Sequence, residues 1–235
     1  MKKLIILFLS LAFTLGVHCQ SSDNFYNRGM ANSKDAQYGD AIEDFSMAIG
    51  FNPKNKKAYN QRGVAKQQVG DIKGALEDFT KALDLDPLFA SAYINKRLAL
   101  GTLNNYYGRI AKWTKAIEAD PTDFAAYNNR GIAKLGIKDY TGAINDFGKT
   151  IELNPEVSTA YNNRGAAKEN KKDFTGAMAD YSKAIEIDPK FSKAYYNRAV
   201  LLLTIGTKDD ACRDFSHASE LGDEDASKKV QSLCQ

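Results

Sequence analysis

Small, aromatic and polar positions return along this chain every 34 residues. A small residue or its substitute falls at Gly29, Gly63, Arg97, Gly131, Gly165 and Ala199, and again at Ala41, Ala75, Arg109, Ala143, Ala177 and Ala211. Aromatic rings follow at Phe45, Phe79, Trp113, Phe147, Tyr181 and Phe215. With Gly131 taken as position 8 of a unit, these are positions 8, 20 and 24. All five prolines stand at position 32. The pattern predicts two helices per unit. One runs from about position 2 to position 14, where Gly70 or Gly206 marks a turn. The other runs from about 17 to 29 and stops before an Asp-Pro or Asn-Pro pair, because proline disfavours helix in the residue before it. Small residues at 8 and 20 mark the place where the two helices approach closely, and rings at 4 and 24 fill the space around it.

Six such units run without insertion over 22–55, 56–89, 90–123, 124–157, 158–191 and 192–225. An aromatic at 4, Gly at 8, Ala at 20, an aromatic at 24, Ala at 27 and Pro at 32 resemble the signature of the tetratricopeptide repeat family. The resemblance covers 204 of 235 residues. It implies an all-α fold: a right-handed superhelical solenoid of six helix–turn–helix repeats, with the first helix of each lining a concave groove. Residues 226–235 are expected to form a C-terminal capping helix over the last repeat. Two units depart from the signature. The third has Arg97 and Arg109 at the two small positions, and the sixth has Asp223 in place of the proline.

The segment AYNNRG occurs at 126–131 and at 160–165, although two Asn and a Gly are poor helix formers. Its second Asn is position 6, which reads Asn27, Gln61, Asn95, Asn129, Asn163 and Asn197. On a helix, positions 2, 6, 9 and 13 share a stripe away from the packing face, and in the resembled fold that stripe points into the groove. A primary amide both donates and accepts, so a column of them can pair with the backbone of an extended peptide. This is similar to the amide ladders of armadillo-type solenoids. Leu98 and Ile132, at position 9, would add apolar contacts, and Ser91, Thr102, Ala125, Gly136, Thr159 and Asn170 keep the middle of the stripe small and neutral. Position 6 is never basic, unlike the carboxylate clamp of heat-shock cochaperones. Two other roles stay open for the column: bonding to the backbone of the neighbouring repeat, or persistence through duplication.

Position 7 is Arg wherever position 23 is Asp. In the third unit both are Lys, Lys96 and Lys112. Ion pairs between the two helices follow, of modest worth if they are exposed. From Ala90 to Ile117 there are five basic residues and no acidic one. Two guanidinium groups cannot be buried unpaired, so either the third helix pair splays, or an anionic group of a partner enters between Arg97 and Arg109.

Composition is ordinary for a globular protein, 43% hydrophobic and 26% charged. Lys2 and Lys3 supply two of the 32 basic residues, which leaves 30 against 29 acidic ones. That balance argues against nucleic acid as a partner, which needs many phosphate contacts. The first 19 residues read as a signal peptide, with a basic start and an apolar run from Leu4 to Leu15 that is too short to span a bilayer. Its exit stays open between cleavage after Cys19 and lipidation of Cys19, the latter being the one expected link to a membrane. In an oxidising compartment Cys212 and Cys234 are expected to form a disulfide. Beyond the signal only His217 remains, and there is no phosphate loop, nucleophile motif or metal-ligand spacing. No cofactor, metal or catalytic residue is expected. The expected function is a non-enzymatic envelope scaffold, periplasmic, secreted or an outer-membrane lipoprotein, that binds a protein or extended peptide. The alternative is an assembly subunit that packs through its convex surface.

Overall fold

The computed structural model describes residues 21–234. The expected signal peptide, 1–19, and Cys19 lie outside the described residues. Among the described residues there are twelve helices: α1 Ser22–Lys34, α2 Tyr38–Phe51, α3 Lys56–Gln68, α4 Ile72–Leu85, α5 Ala90–Ala119, α6 Phe124–Gly136, α7 Tyr140–Leu153, α8 Ser158–Asn170, α9 Phe174–Ile187, α10 Ser192–Thr204, α11 Lys208–Glu220 and α12 Glu224–Leu233. The architecture is an all-α helical repeat solenoid. The chain forms two compact units, one ending at Leu103 and one beginning at Asn104. In the first, α1 packs on α2 and α3 on α4, with α2 also against α3. The first half of α5 joins this unit, where Ala99 is buried with Ile72, Ala75 and Phe79. In the second, α6 packs on α7, α8 on α9, α10 on α11, and α12 closes against α11.

The turns inside the hairpins share one mechanism. Position 15 takes positive φ, at Gly70 and Gly206 but also at Ala36, Lys138 and Lys172. The next N–H then reaches back five residues, as in Asp71 to the Lys66 carbonyl at 2.8 Å and Asp139 to that of Lys134 at 2.9 Å. The same Asp side chain accepts from the N–H of Gly74 or Gly142, capping the helix that follows. Asp173 and Gly176 repeat the arrangement. A Cβ on these glycines would run into the capping carboxylate.

Position 8 is small because of an aromatic ring rather than a backbone. A Cβ at Gly63 would lie 2.6 Å from the Phe79 ring, and one at Gly131 would lie 2.8 Å from Phe147. These position-24 rings, with Phe45, Tyr181 and Phe215, are the largest fully buried side chains of their hairpins.

The helix–turn–helix expected over 90–123 is not formed, and α5 runs unbroken for 30 residues. Side-chain size and charge both oppose a hairpin here: a Cβ at Gly29, Gly63, Gly131 or Gly165, position 8 of four hairpins, would already lie under 3.0 Å from the position-24 ring, and this unit puts Arg97 at that position. In a hairpin, positions 7 and 23 meet because the chain doubles back between them, and there the pair is Arg and Asp. In α5 it would be Lys96 and Lys112, with Arg97 set against Arg109. The unbroken helix has its own cost. Gly101 and Gly108 sit in its interior with nothing near their α-carbons that a side chain would meet, each about 1 kcal/mol worse than Ala. Tyr93, whose counterparts Phe25 and Tyr161 are buried, is 63% exposed.

At the other end, α12 begins two residues earlier than the expected cap. Asp223, which replaces the proline, accepts from the Ala226 N–H at 2.9 Å and starts the helix there. Ala226 is buried against the Phe215 cluster, with Val230 packed beside it.

Candidate partner-binding face

The two Asn of AYNNRG have different surroundings. The first, position 5, turns inward: Asn162 is 5% exposed and Asn60, its counterpart in α3, 4%. The second, position 6, is half-buried at Asn95, Asn129, Asn163 and Asn197 and at Gln61, and exposed at Asn27. Asn95 donates to Asn60 Oδ1 at 3.0 Å, and Asn197 donates to Asn162 Oδ1 at 2.9 Å. Position 6 of one repeat is thereby tied to position 5 of the repeat before it. The same bond is absent at Asn163: its oxygen instead faces the Asn162 amide at 3.5 Å, and Asn128 Oδ1 is buried with no partner. This side-chain pairing between repeats went unread in the sequence. Its signal was present, since position 5 is Asn in Asn60, Asn128 and Asn162 alone.

The side chains of Gln61 and Asn129 make no hydrogen bond among the described residues, and the position-5 residues that precede them are Tyr26 and Ile94. Both amides are half-buried and keep their full donor and acceptor capacity. In the first unit, Gln61 and Asn95 line an open cleft with Tyr26, Lys57 and Val64. The apolar candidates divide. Leu98 is 59% exposed, whereas Ile132 packs onto the Phe147 core.

The Arg and Asp columns form a second constellation, structural in kind. Arg62 grips Asp78 through two parallel bonds of 2.9 and 2.6 Å, and Arg130 and Arg164 hold Asp146 and Asp180 in the same way. Lys66, Lys134 and Lys168, at position 11, each add a contact of 2.8 Å to the same carboxylate. Arg28 and Asn32 hold Asp44 similarly. The third guanidinium nitrogen reaches the preceding repeat, with Arg62 donating to Ser46, Arg130 to Thr114 and Arg198 to Ser182. The carboxylates are buried, at 3–4% exposure for Asp78, Asp146 and Asp180. These are therefore desolvated clusters that bridge repeats, not the exposed pairs of modest worth. Their hydrogen bonds to carboxylate raise the pKa of Arg130 and Arg198.

Arg97 and Arg109 lie twelve residues apart on α5, Arg97 exposed in the first unit and Arg109 half-buried in the second. The expected disulfide is present, joining Cys212 of α11 to Cys234 just beyond α12. Among the described residues no group of three or more His, Cys, Asp or Glu could hold a metal ion, and no helix is long and apolar enough to cross a membrane.

Residues 57–89 and 158–191 match one sequence family described as tetratricopeptide repeat, and residues 112–145 and 181–213 match a second family of that description. The match over 112–145 takes in the second half of α5. No curated protein matches the chain. Among solved structures, that of YrrB, described as a TPR protein with an unusual peptide-binding site, is 21% identical with a TM-score of 0.50, covering 82% of this chain and 100% of that one. MamA is 21% identical with a TM-score of 0.43 over 85% of this chain and 96% of its own. The Arabidopsis OM64 TPR domain is 30% identical with a TM-score of 0.46, over 47% of this chain and 93% of that domain.

Proposed function

Since the chain belongs to the tetratricopeptide repeat family, we propose that it is a non-enzymatic scaffold whose first-helix face holds an extended segment of a partner protein. The observation that carries this is two half-buried amides, Gln61 in the first unit and Asn129 in the second, whose side chains have no hydrogen-bond partner among the described residues. A peptide backbone offers an N–H and a C=O at regular spacing, and a side-chain amide answers both. Asn95 and Asn197 each retain an oxygen and a second N–H after bonding to Asn60 and Asn162. The description of YrrB as having a peptide-binding site accords with this use of the fold.

The scaffold is exported under this reading, with Cys19 either removed with the signal or lipidated. The Cys212–Cys234 bridge supports an oxidising compartment, where such bonds persist. Fractionation of cells and mass measurement of the mature N-terminus distinguish the two fates of Cys19.

The test of the groove is Gln61→Ala combined with Asn129→Ala. A photo-crosslinking residue at Lys57, beside the first-unit cleft, identifies the partner from an envelope extract, and titration of the purified partner then measures affinity. Affinity should fall about tenfold or more, which is about 1.4 kcal/mol, with an unchanged melting temperature. Undiminished affinity would show that the partner sits elsewhere.

A further inference from the structure

We propose that the last hairpin carries a binding site for a primary ammonium group, in the cavity bordered by α9, α10 and α11, where other repeats use a lysine of their own. Position 11 distinguishes this hairpin. In each of the other four, that residue donates to the buried position-23 carboxylate. Asn32 reaches Asp44 at 2.9 Å, and Lys66, Lys134 and Lys168 reach Asp78, Asp146 and Asp180 at 2.8 Å. In the last hairpin position 11 is Leu202, which cannot donate and packs instead against the core around Phe215. Asp214 is left with Arg198 alone, through bonds of 2.7 and 2.9 Å. A carboxylate offers about four acceptor sites, so Asp214 keeps capacity for one more charge-assisted donor.

A cavity of about 400 Å³ lies beside it, within the range of small-ligand sites, about 300–1,000 Å³. Its lining includes positions 7, 11, 19 and 23, the ones that surround the lysine head elsewhere: Arg198, Leu202, Asp210 and Asp214. Asp214 itself is only 7% exposed. Met178, Tyr195 and Leu202 supply apolar surface for a methylene stem. Lys66 and Lys134 also donate to the position-19 carbonyls of Gly74 and Gly142, at 3.5 and 3.4 Å. The position-19 residue here is Asp210, which offers the same carbonyl and adds a carboxylate. An ammonium in this cavity therefore meets the two kinds of acceptor that hold those lysines.

Charge points to the same ligand. Arg198 pairs with Asp214 and Arg213 with Asp210, so these four side chains cancel. In the three lysine-bearing hairpins, Arg, Lys and Asp sum to one positive charge. An incoming ammonium brings the last hairpin to that same sum. The site lies outside the position-6 column and does not rest on the peptide-binding reading.

Backbone amide NMR signals of residues 195–217 read the site in the full chain. Butylammonium chloride should shift them saturably in the millimolar range, whereas butyramide or sodium chloride at equal concentration should not. Leu202→Lys places the chain's own ammonium on Asp214, as in the other hairpins, and should abolish the shift. Asp210→Ala, at an exposed position, should weaken binding severalfold. A blocked Gly-Lys-Gly peptide separates the sources of the ammonium. Binding of peptide and amine alike assigns the site to a lysine side chain of a partner, binding of the amine alone to a free alkylamine, and each supports it. Three results would each overturn the proposal: no saturable shift with butylammonium, an equal shift with butyramide, or binding undiminished in either variant.

Discussion

At the scale of single residues, neighbours in sequence serve different ends. Asn162→Ala removes a buried acceptor and leaves the Asn197 amide without its bond, so stability should fall by about 1–3 kcal/mol. Asn129→Ala should leave thermal stability within about 0.5 kcal/mol, as expected for a half-buried residue whose side chain has no hydrogen-bond partner among the described residues. Chemical denaturation of both variants checks the contrast, and equal losses would refute the division of labour. The Asp clusters carry more. Asp146→Ala strands Arg130 and Lys134, and breaking a buried pair from one side costs about 3–5 kcal/mol. Gly131→Ala should cost about 1–3 kcal/mol by overpacking against Phe147. Tyr181 adds a pH dependence. Burial, and then its 2.7 Å bond to Glu169, hold the phenol above its usual pKa. A raised folded-state pKa means that the stabilisation is complete below the unfolded value of about 10 and is lost as pH rises above it. Tyr181→Phe should flatten that alkaline decline in melting temperature.

At the scale of elements, the closing helix and α5 make opposite cases. The α12 helix has only ten residues, too few to be stable alone in water. Packing of Ala226 and Val230 and the Cys212–Cys234 bridge hold it in place. Opening the bridge should cost roughly 3 kcal/mol in the chain-entropy account for a loop of this size. Hydrogen exchange over 224–233 should quicken in a Cys212→Ser, Cys234→Ser variant while that over 158–187 stays slow. Uniform acceleration would mean that the bridge supports far more than one helix. The α5 helix is long but locally ill-suited, with Gly101, Asn104, Asn105 and Gly108 in its middle.

At the scale of the molecule, the chain beyond its first residues is almost neutral, with 30 basic and 29 acidic side chains. The middle of the amide stripe carries Ser91, Thr102, Ala125, Gly136, Thr159 and Asn170, none of them charged. Recognition through amides and backbone should therefore be little affected by ionic screening. Affinity for the captured partner should change less than about threefold between about 0.05 and about 0.5 M salt. A steep salt dependence would move recognition to the basic stretch of α5.

The 34-residue period predicted six hairpins, of which five are formed, together with the aromatic positions at their centres and the amide column, while the two remaining cysteines predicted the pairing of Cys212 with Cys234. The hairpins and their central rings depend on contacts that each repeat makes with itself in the same way, so periodicity carries that information. Three features were decided only in three dimensions. Which Asn is buried follows from the direction each side chain takes against the preceding repeat, 35 residues away. The depth of the Asp carboxylates follows from the Lys and Arg that close over them, which turns a surface ion pair into a desolvated cluster. The unbroken α5 follows from a comparison of two states that share one local sequence. Its turn residues favour doubling back, but doubling back would set Arg97 where even a Cβ would crowd the position-24 ring in the glycine-bearing repeats, and would set like charges together; both conflicts exist only once two helices are brought side by side.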